Sequence, residues 1–371
     1  MKLYVVAGEA SGDARGAELL RALRERIPGV EFVGAGGREM RQFGGDAMVD
    51  WADEAVVGLW DVLKKYSYFR RQFHRMLAEI GATQPDALIT IDYPGFNMRL
   101  AKAAKARMPK LRTIHYVSPQ VWAWHRGRIP KMATFLDLML CLFPFELPLY
   151  ANAGLRAVCV GHPLLDSLAA EKKEQPRDTL LVALLPGSRA KEVRKIFPVM
   201  VEAAARLKEM RPSLRFEAAA ASETLASEMR SILLSQRHDE DFCALTLRSA
   251  HDLMQRASAG MVCSGTATLE STFFGLPMVI LYRVAWLTWA VGRRLVKIPW
   301  LGLPNVLAGH EIAREFLQDA AHPGPIALQV LRLLEDSTTR ESQQRAQTEV
   351  IASLGERGAA KRAAEAIAAA L

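Results

Sequence analysis

The chain has 371 residues, half of them hydrophobic and 24% charged, with 48 Lys and Arg against 40 Asp and Glu for a net charge of +8. That length exceeds one ordinary core and that composition excludes a disordered, collagenous or disulfide-framework chain, so two globular domains are expected. The mild basic excess favours anionic partners (nucleic acid, phosphates or an acidic membrane surface) without singling one out, and a solvated basic surface accounts for it as well.

The opening segment, MKLYVVAGEASGD, does not read as a signal peptide. Its apolar stretch of about five residues falls short of the roughly 7–15 required, and Glu9 follows at once. No uninterrupted apolar run approaches the roughly 18 residues of a membrane span, so a membrane is expected to be met from its surface. Cys141, Cys159, Cys243 and Cys263 are too far apart in sequence for a zinc or redox motif, and three lie in apolar runs. They read as reduced, in a cytosolic setting.

In the first half, short apolar runs at 3–8, 31–36, 87–92, 112–118, 137–143 and 157–161 read as buried parallel strands, with helical patterns such as 13–26, 58–80 and 97–107 between them. The pattern stops at Pro163; the charged, polar stretch 167–178 reads as a linker. The alternation resumes with runs at 180–187, 214–220, 242–248, 260–265 and 277–284, and 338–371 is Ala-rich, charged and helical in pattern. The expected fold class is therefore α/β: two Rossmann-like, doubly wound parallel-sheet domains, 1–166 and 179–345, facing across a cleft. A helical tail at 346–371 completes the chain, with packing back on the first domain as one option.

The first strand runs into Gly8-Glu9-Ala10-Ser11-Gly12-Asp13 and a helix. Small residues let a ligand approach the backbone, and a helix start favours an anion. The loop lacks both the Gly-Lys-Ser/Thr of a Walker loop and the three-glycine dinucleotide fingerprint. A plain turn with Asp13 as N-cap is the competing reading. Asp92 closes a strand before the turn Pro94-Gly95; a carboxylate there is either a general base or a turn stabiliser. Next, 114–128 gathers His115, Ser118, Gln120, Trp122, Trp124, His125, Arg126 and Arg128 at a strand end. An aromatic loop packed on the sheet accounts for the tryptophans but less well for the basic and polar groups beside them.

In the second half, Gly187-Ser188-Arg189 turns a strand into a helix and sets Arg189 where a diphosphate can be paired. Ser264-Gly265-Thr266-Ala267-Thr268 repeats the arrangement, with backbone N–H groups at a helix start and Glu270 one turn on, placed to accept bonds from ribose hydroxyls. Each alone can be a capped turn; together they read as a nucleotide-diphosphate site. Asn305 lies in a Pro- and Gly-bounded loop, 301–309, after the last expected strand. In 58–80, an apolar side from Leu59 to Ile80 is flanked by Lys64, Lys65, Arg70, Arg71 and Arg75, which suits either a crossover helix or a membrane-surface helix. Segment 286–301 has a similar character, with three tryptophans, Arg293, Arg294 and Lys297.

The motifs GEASGD, DYPGFN, HYVSPQVWAW, LLPGSR, SGTATLES and LPNVLAG occur in this order, and with them the chain resembles the lipid-A-disaccharide synthase family from about residue 3 to about residue 318. HYVSPQVWAW is the most specific; PGSR and SGTATLE are shared more loosely with other UDP-sugar enzymes. The resemblance implies a GT-B architecture and transfer of 2,3-diacylglucosamine from its UDP conjugate to 2,3-diacylglucosamine 1-phosphate, giving the β-1,6-linked lipid A disaccharide phosphate and UDP. It implies Asp92 as catalytic carboxylate, with Glu9 and Ser11 in the same catalytic set. It implies UDP contacts from Gly187, Ser188, Arg189, Ser264, Gly265, Thr266, Ala267, Thr268, Glu270 and Asn305. Asp13, His115, Ser118, Gln120, Trp122, Trp124 and Arg126 would then belong to the acceptor side. The chain departs from the family pattern after the tryptophans, at 125–128, so no role passes to His125. No metal and no cofactor is implied, and nucleic acid is not an expected partner. Acylated substrates imply peripheral attachment to an anionic membrane surface, at the inner face of the inner membrane, with a homodimer left open. Another GT-B-like UDP-sugar enzyme, such as a UDP-N-acetylglucosamine 2-epimerase, is the alternative.

Overall fold

The computed structural model describes residues 1–51, 66–122, 126–284 and 298–371. Residues 58–65 of the basic amphipathic segment, Trp124 and His125, the Arg126 side chain, and 286–297 lie outside the described residues. The chain divides into two compact units, residues 1–166 with 356–371, and residues 167–355.

The first unit holds a seven-stranded sheet in the order β3-β2-β1-β4-β5-β6-β7. Its strands are β1 (Lys2–Ala7), β2 (Glu31–Gly36), β3 (Met48–Asp50), β4 (Ala87–Ile91), β5 (Arg112–Tyr116), β6 (Leu138–Cys141) and β7 (Ala157–Cys159), and every pairing is parallel. β1 and β4 are buried almost throughout, as a parallel strand covered by helices on both faces requires. The helices are α1 (Ala10–Arg26), α2 (Arg38–Gly44), α3 (Tyr66–Thr83), α4 (Pro94–Arg107), the short α5 (Ile129–Ala133) and α6 (Leu147–Ala151), and α7 (Leu164–Glu171), whose last residues pass into the second unit.

The second unit holds a six-stranded parallel sheet in the order β10-β9-β8-β11-β12-β13. These are β8 (Asp178–Leu185), β9 (Arg215–Ala220), β10 (Cys243–Leu247), β11 (Ala257–Cys263), β12 (Met278–Tyr282) and β13 (Glu315–Leu317). Helices α8 (Ala190–Met210), α9 (Glu223–Ser235), α10 (Ala250–Arg256), α11 (Thr266–Phe273), α12 (Leu303–Ala308), α13 (Pro323–Glu335) and α14 (Ser337–Ser353) surround it. The last helix, α15 (Ala359–Ala368), packs on α1 in the first unit. Asp166 caps it, accepting from Gly358 N at 2.8 Å and Ala359 N at 3.2 Å.

Four expectations change. β3 and β13 are three-residue edge strands, Met48–Asp50 and Glu315–Leu317, each bounded by a carboxylate at one end and so too short to leave a continuous apolar run. The stretch 167–178 is not a plain linker: 167–171 complete α7, and Asp178 opens β8. Arg177, between them, donates to the carbonyls of Met254, Ala257 and Phe274. The tail separates at 355/356 rather than 345/346, because α14 runs through residue 346. Finally, part of the apolar side of 58–80 is core: Met76, Leu77 and Ile80 are buried, and Phe69 and Phe73 pack against the same cluster. Met76, Leu77 and Ile80 are therefore spent on the core, while Phe69 and Phe73 keep part of their surface exposed. Arg70 and Arg71 are exposed. Among the described residues no helix is long and apolar enough to cross a membrane.

Candidate active site

The carboxyl end of β4 brings two of the sequence motifs together. Asp92 and Tyr93 leave the strand with φ of 51° and 46°, a left-handed turn uncommon for residues with a β-carbon. Backbone bonds hold it: Asp92 N donates to Tyr116 O at 2.9 Å, and Asn97 Nδ2 donates to the carbonyls of Asp92 at 2.8 Å and Ile91 at 3.0 Å. Gly8 is required beside this turn, since a β-carbon there would lie 2.5 Å from the Tyr93 ring. The loop of Glu9 and Ser11 therefore sits against Asp92, with Ser11 exposed and Glu9 at the N-cap position of α1. The Asp92 carboxylate is partly exposed and receives Arg15 Nη1 of α1 on Oδ2 at 2.7 Å and its neighbour's Tyr93 N on Oδ1 at 3.0 Å.

Asp13 does something else. Its carboxylate accepts from Gly37 N at 2.7 Å, Glu39 N at 2.9 Å and Met40 N at 3.1 Å, so it caps α2 and not its own helix, and it is buried. Every orphan donor it satisfies would otherwise be stranded at a helix start. Its three carboxylate bonds go to the backbone of α2.

His115 is likewise reassigned. It is fully buried in β5, with Nδ1 2.8 Å from Thr90 Oγ1, and burial pushes it down to about 3, so it is a neutral core residue. Ser118 is buried, its Oγ 2.7 Å from Tyr150 Oη, while Gln120 is exposed and Trp122 is buried edge-on to Phe145. Behind this loop lies Glu146, which the sequence reading passed over. Burial raises it to about 7, against the lowering effect of bonds from Ser118 and from the Phe143 and Leu142 amides. Those two amides donate to one oxygen, Oε2, at 3.0 and 3.1 Å. A lone acid inside the apolar run 138–149 was the available signal.

In the second unit, the ends of β8, β9 and β11 surround a pocket of about 700 Å³. Gly187, Ser188 and Arg189 form one wall and Ser264, Gly265, Thr266, Ala267 and Glu270 another. Gly187 has φ 104°, and a β-carbon there would meet the Glu192 carboxylate at 2.5 Å. That carboxylate also holds Arg189 Nη1 at 3.0 Å at the helix start. In the second turn Ser264 N already donates to Leu281 O and Thr268 N to Gly265 O. The N–H groups left for an anion are those of Gly265, Thr266 and Ala267, fewer than the whole 264–268 stretch. Thr268 is fully buried with its hydroxyl on Gly265 O at 2.7 Å, and it does not line the pocket.

Asn305 is also absent from the pocket wall. It is fully buried in α12, donating to Ala313 O and Glu315 Oε1 and accepting from Ile312 N and Ala313 N, all within 2.9 Å. Its four bonds splice α12 to the entry of β13; none remains for a nucleotide. The pocket adds residues no motif announced: Glu171, Arg248 and His251. Arg248 turns at φ 52° directly after β10. His251 makes ion pairs with both Glu171 and Glu270. Strand ends mark Arg248 in hindsight, but nothing local links Glu171 to His251.

A family model described as lipid-A-disaccharide synthetase matches residues 3–370. The chain belongs to the lipid-A-disaccharide synthase family. It is 39% identical over 375 residues to the lipid-A-disaccharide synthase of Trichlorobacter lovleyi, covering 98% of this chain and 96% of that one. It is 38% identical to the enzyme so named in Pseudomonas aeruginosa, over 91% and 90%. The chain is accordingly a glycosyltransferase of lipid A biosynthesis. Among solved structures, a putative UDP-N-acetylglucosamine 2-epimerase from Listeria monocytogenes superposes with a TM-score of 0.67 at 14% identity, over 99% of this chain and 95% of that one. The calicheamicin glycosyltransferase gives 0.59 at 14%, over 100% and 98%. At such identities the two likenesses show a shared α/β fold alone, so the epimerase likeness is one of architecture.

Proposed function

We propose that the chain transfers 2,3-diacylglucosamine from UDP-2,3-diacylglucosamine to the 6-hydroxyl of 2,3-diacylglucosamine 1-phosphate with inversion. The observation that carries the reading is the second-unit pocket, where the Gly187–Arg189 turn, the Gly265–Ala267 amides and Glu270 line one space. Arg189 and the amides supply positive charge for a diphosphate, and Glu270 supplies an acceptor for ribose hydroxyls. In the first unit, Asp92 takes the proton of the acceptor hydroxyl as that oxygen attacks the anomeric carbon. The bond from carbon to the diphosphate oxygen breaks, and UDP leaves with its added charge stabilised electrostatically.

The acyl chains of both sugars place the reaction at a lipid surface, on this reading the cytoplasmic face of the inner membrane. The exposed Arg70 and Arg71 of α3 favour an anionic one. The test is UDP release, measured with each acylated sugar alone and with both. Release only when both are present supports transfer. An epimerase consumes UDP-N-acetylglucosamine with no acceptor, and that outcome, or no release at all, contradicts the proposal.

A further inference from the structure

In the second-unit pocket one imidazole stands between two carboxylates. His251, the second residue of α10, has Nδ1 2.7 Å from Glu171 Oε2 and Nε2 3.4 Å from Glu270 Oε2. Ionised carboxylates only accept, so both contacts together require an imidazole that donates from both nitrogens, which is the cation. The arrangement is held from outside the triad. Gln255, one turn along α10, donates to Glu171 O at 3.1 Å and accepts from Lys173 N at 2.6 Å, and Lys173 Nζ reaches Asp252 at 2.9 Å. The segment carrying Glu171 is thus fastened to the helix carrying His251, and the Phe274 ring lies 5.5 Å from the imidazole.

Glu270 spends one oxygen, Oε2, on this pairing. Among the described residues its Oε1 has no protein partner, and the side chain is about one-fifth exposed on the pocket wall. We propose that His251 is a positioning residue: it fixes Glu270 by one carboxylate oxygen so that the other is presented to the ribose hydroxyls of a nucleoside diphosphate, with Glu171 as the counter-anchor. This rests on the nucleotide reading of the pocket. It assigns a role in that reading to two residues outside every sequence motif.

The charges around His251 agree with a standing cation. It is pushed up to about 9, first by its bond to Glu270, opposed by burial, and then by Glu171. Glu270 faces it from α11 and Glu171 from the end of α7. Asp252, beside it on α10, is taken up by Lys173 and Arg256, and Arg189 and Arg248 are the other cations on the pocket wall. Below about pH 9 the clamp is closed; above it the imidazole keeps one proton and one carboxylate must be released.

The experiment is calorimetric titration of the full chain with UDP and with 2′,3′-dideoxy-UDP. The two ligands share base and diphosphate, so their own titrations cancel in the ratio of affinities. Wild type is expected to prefer UDP by about 10- to 100-fold, the worth of a hydrogen bond to a charged group. His251→Gln keeps the side chain polar and neutral; its preference should fall below about 3-fold, while its affinity for dideoxy-UDP stays within about 2-fold of wild type. Glu171→Gln should lower the preference in the same direction by less. In wild type the preference should hold from pH 6.5 to 8 and decline above about pH 9, and His251→Gln should show no such decline. An unchanged preference in His251→Gln, or an equal loss for both ligands, overturns this proposal alone. Wild type that binds no UDP overturns the nucleotide reading of the pocket and this proposal with it.

Discussion

Arg15 Nη1 on α1 lies 2.7 Å from Asp92 Oδ2 at the end of β4, in an ion pair that is only partly exposed. The arginine stands one turn beyond Ser11, so the glycine loop and the proposed base are joined by more than proximity. A base held on one oxygen is aimed by its partner, and misaiming a reacting group by about 1 Å can cost 10²-fold. Arg15→Gln should therefore fold and bind UDP as wild type does while kcat falls roughly 10- to 100-fold. Steady-state kinetics beside calorimetry checks it, and an unchanged kcat would leave the pair a purely structural one.

Arg189 is the cation the diphosphate is expected to meet. Its present partner is Glu192 at 3.0 Å, and its side chain is largely exposed. Arg189→Ala should weaken UDP binding by about 1.5–3 kcal/mol, the range for hydrogen bonds to charged groups. Thermal stability should change little, because exposed ion pairs contribute little. Calorimetry showing wild-type UDP affinity would move the diphosphate to Arg248.

Asp13 should behave oppositely. Three amides at the start of α2 depend on its carboxylate, and two of those bonds are buried. Asp13→Ala should destabilise the chain by about 2–3 kcal/mol in urea unfolding, with UDP affinity unaltered. Full stability together with lost turnover would return Asp13 to the acceptor site.

Glu146 gives a pH signature. Its folded-state value of about 7 lies above the roughly 4.3 of an exposed glutamate, so the folded chain binds the proton more tightly. Its contribution to stability is then fully present below about pH 4 and is lost as pH rises through about 7. Glu146→Gln cannot titrate, and its carbonyl oxygen can still accept the two amides that meet on Oε2. The stability difference, wild type minus variant, should fall between pH 4 and 7 and then level. A difference independent of pH in that window would rule this out.

The strand–turn–helix order was legible because parallel strands buried on both faces read as continuous apolar runs. β1 and β4 are of that kind. The positions of Asp92, Gly187, Arg189 and Gly265 were legible for a related reason: small or charged residues soon after such runs sit at strand ends, and Glu270 follows one turn into the next helix. The reading erred where a polar residue after a turn serves the backbone. Asn305 splices α12 to β13, Thr268 closes its own helix start, and Asp13 caps a helix 24 residues away. It missed groups whose partners are set only by the tertiary fold. Glu171 and His251 are 80 residues apart, and Arg15 and Asp92 are 77; no local pattern joins them.

The proposed transfer turns on Asp92 as the group that takes the acceptor's proton. Asp92→Asn keeps the side chain's shape and its hydrogen bond from Tyr93 N but cannot take a proton. The direct measurement is disaccharide phosphate formed per minute from the two acylated sugars, quantified by mass spectrometry for wild type and Asp92→Asn at matched UDP affinity. The account predicts product from wild type and a loss of about 10²–10⁴-fold in the variant. Near-normal turnover by Asp92→Asn, or no disaccharide from wild type, would contradict it.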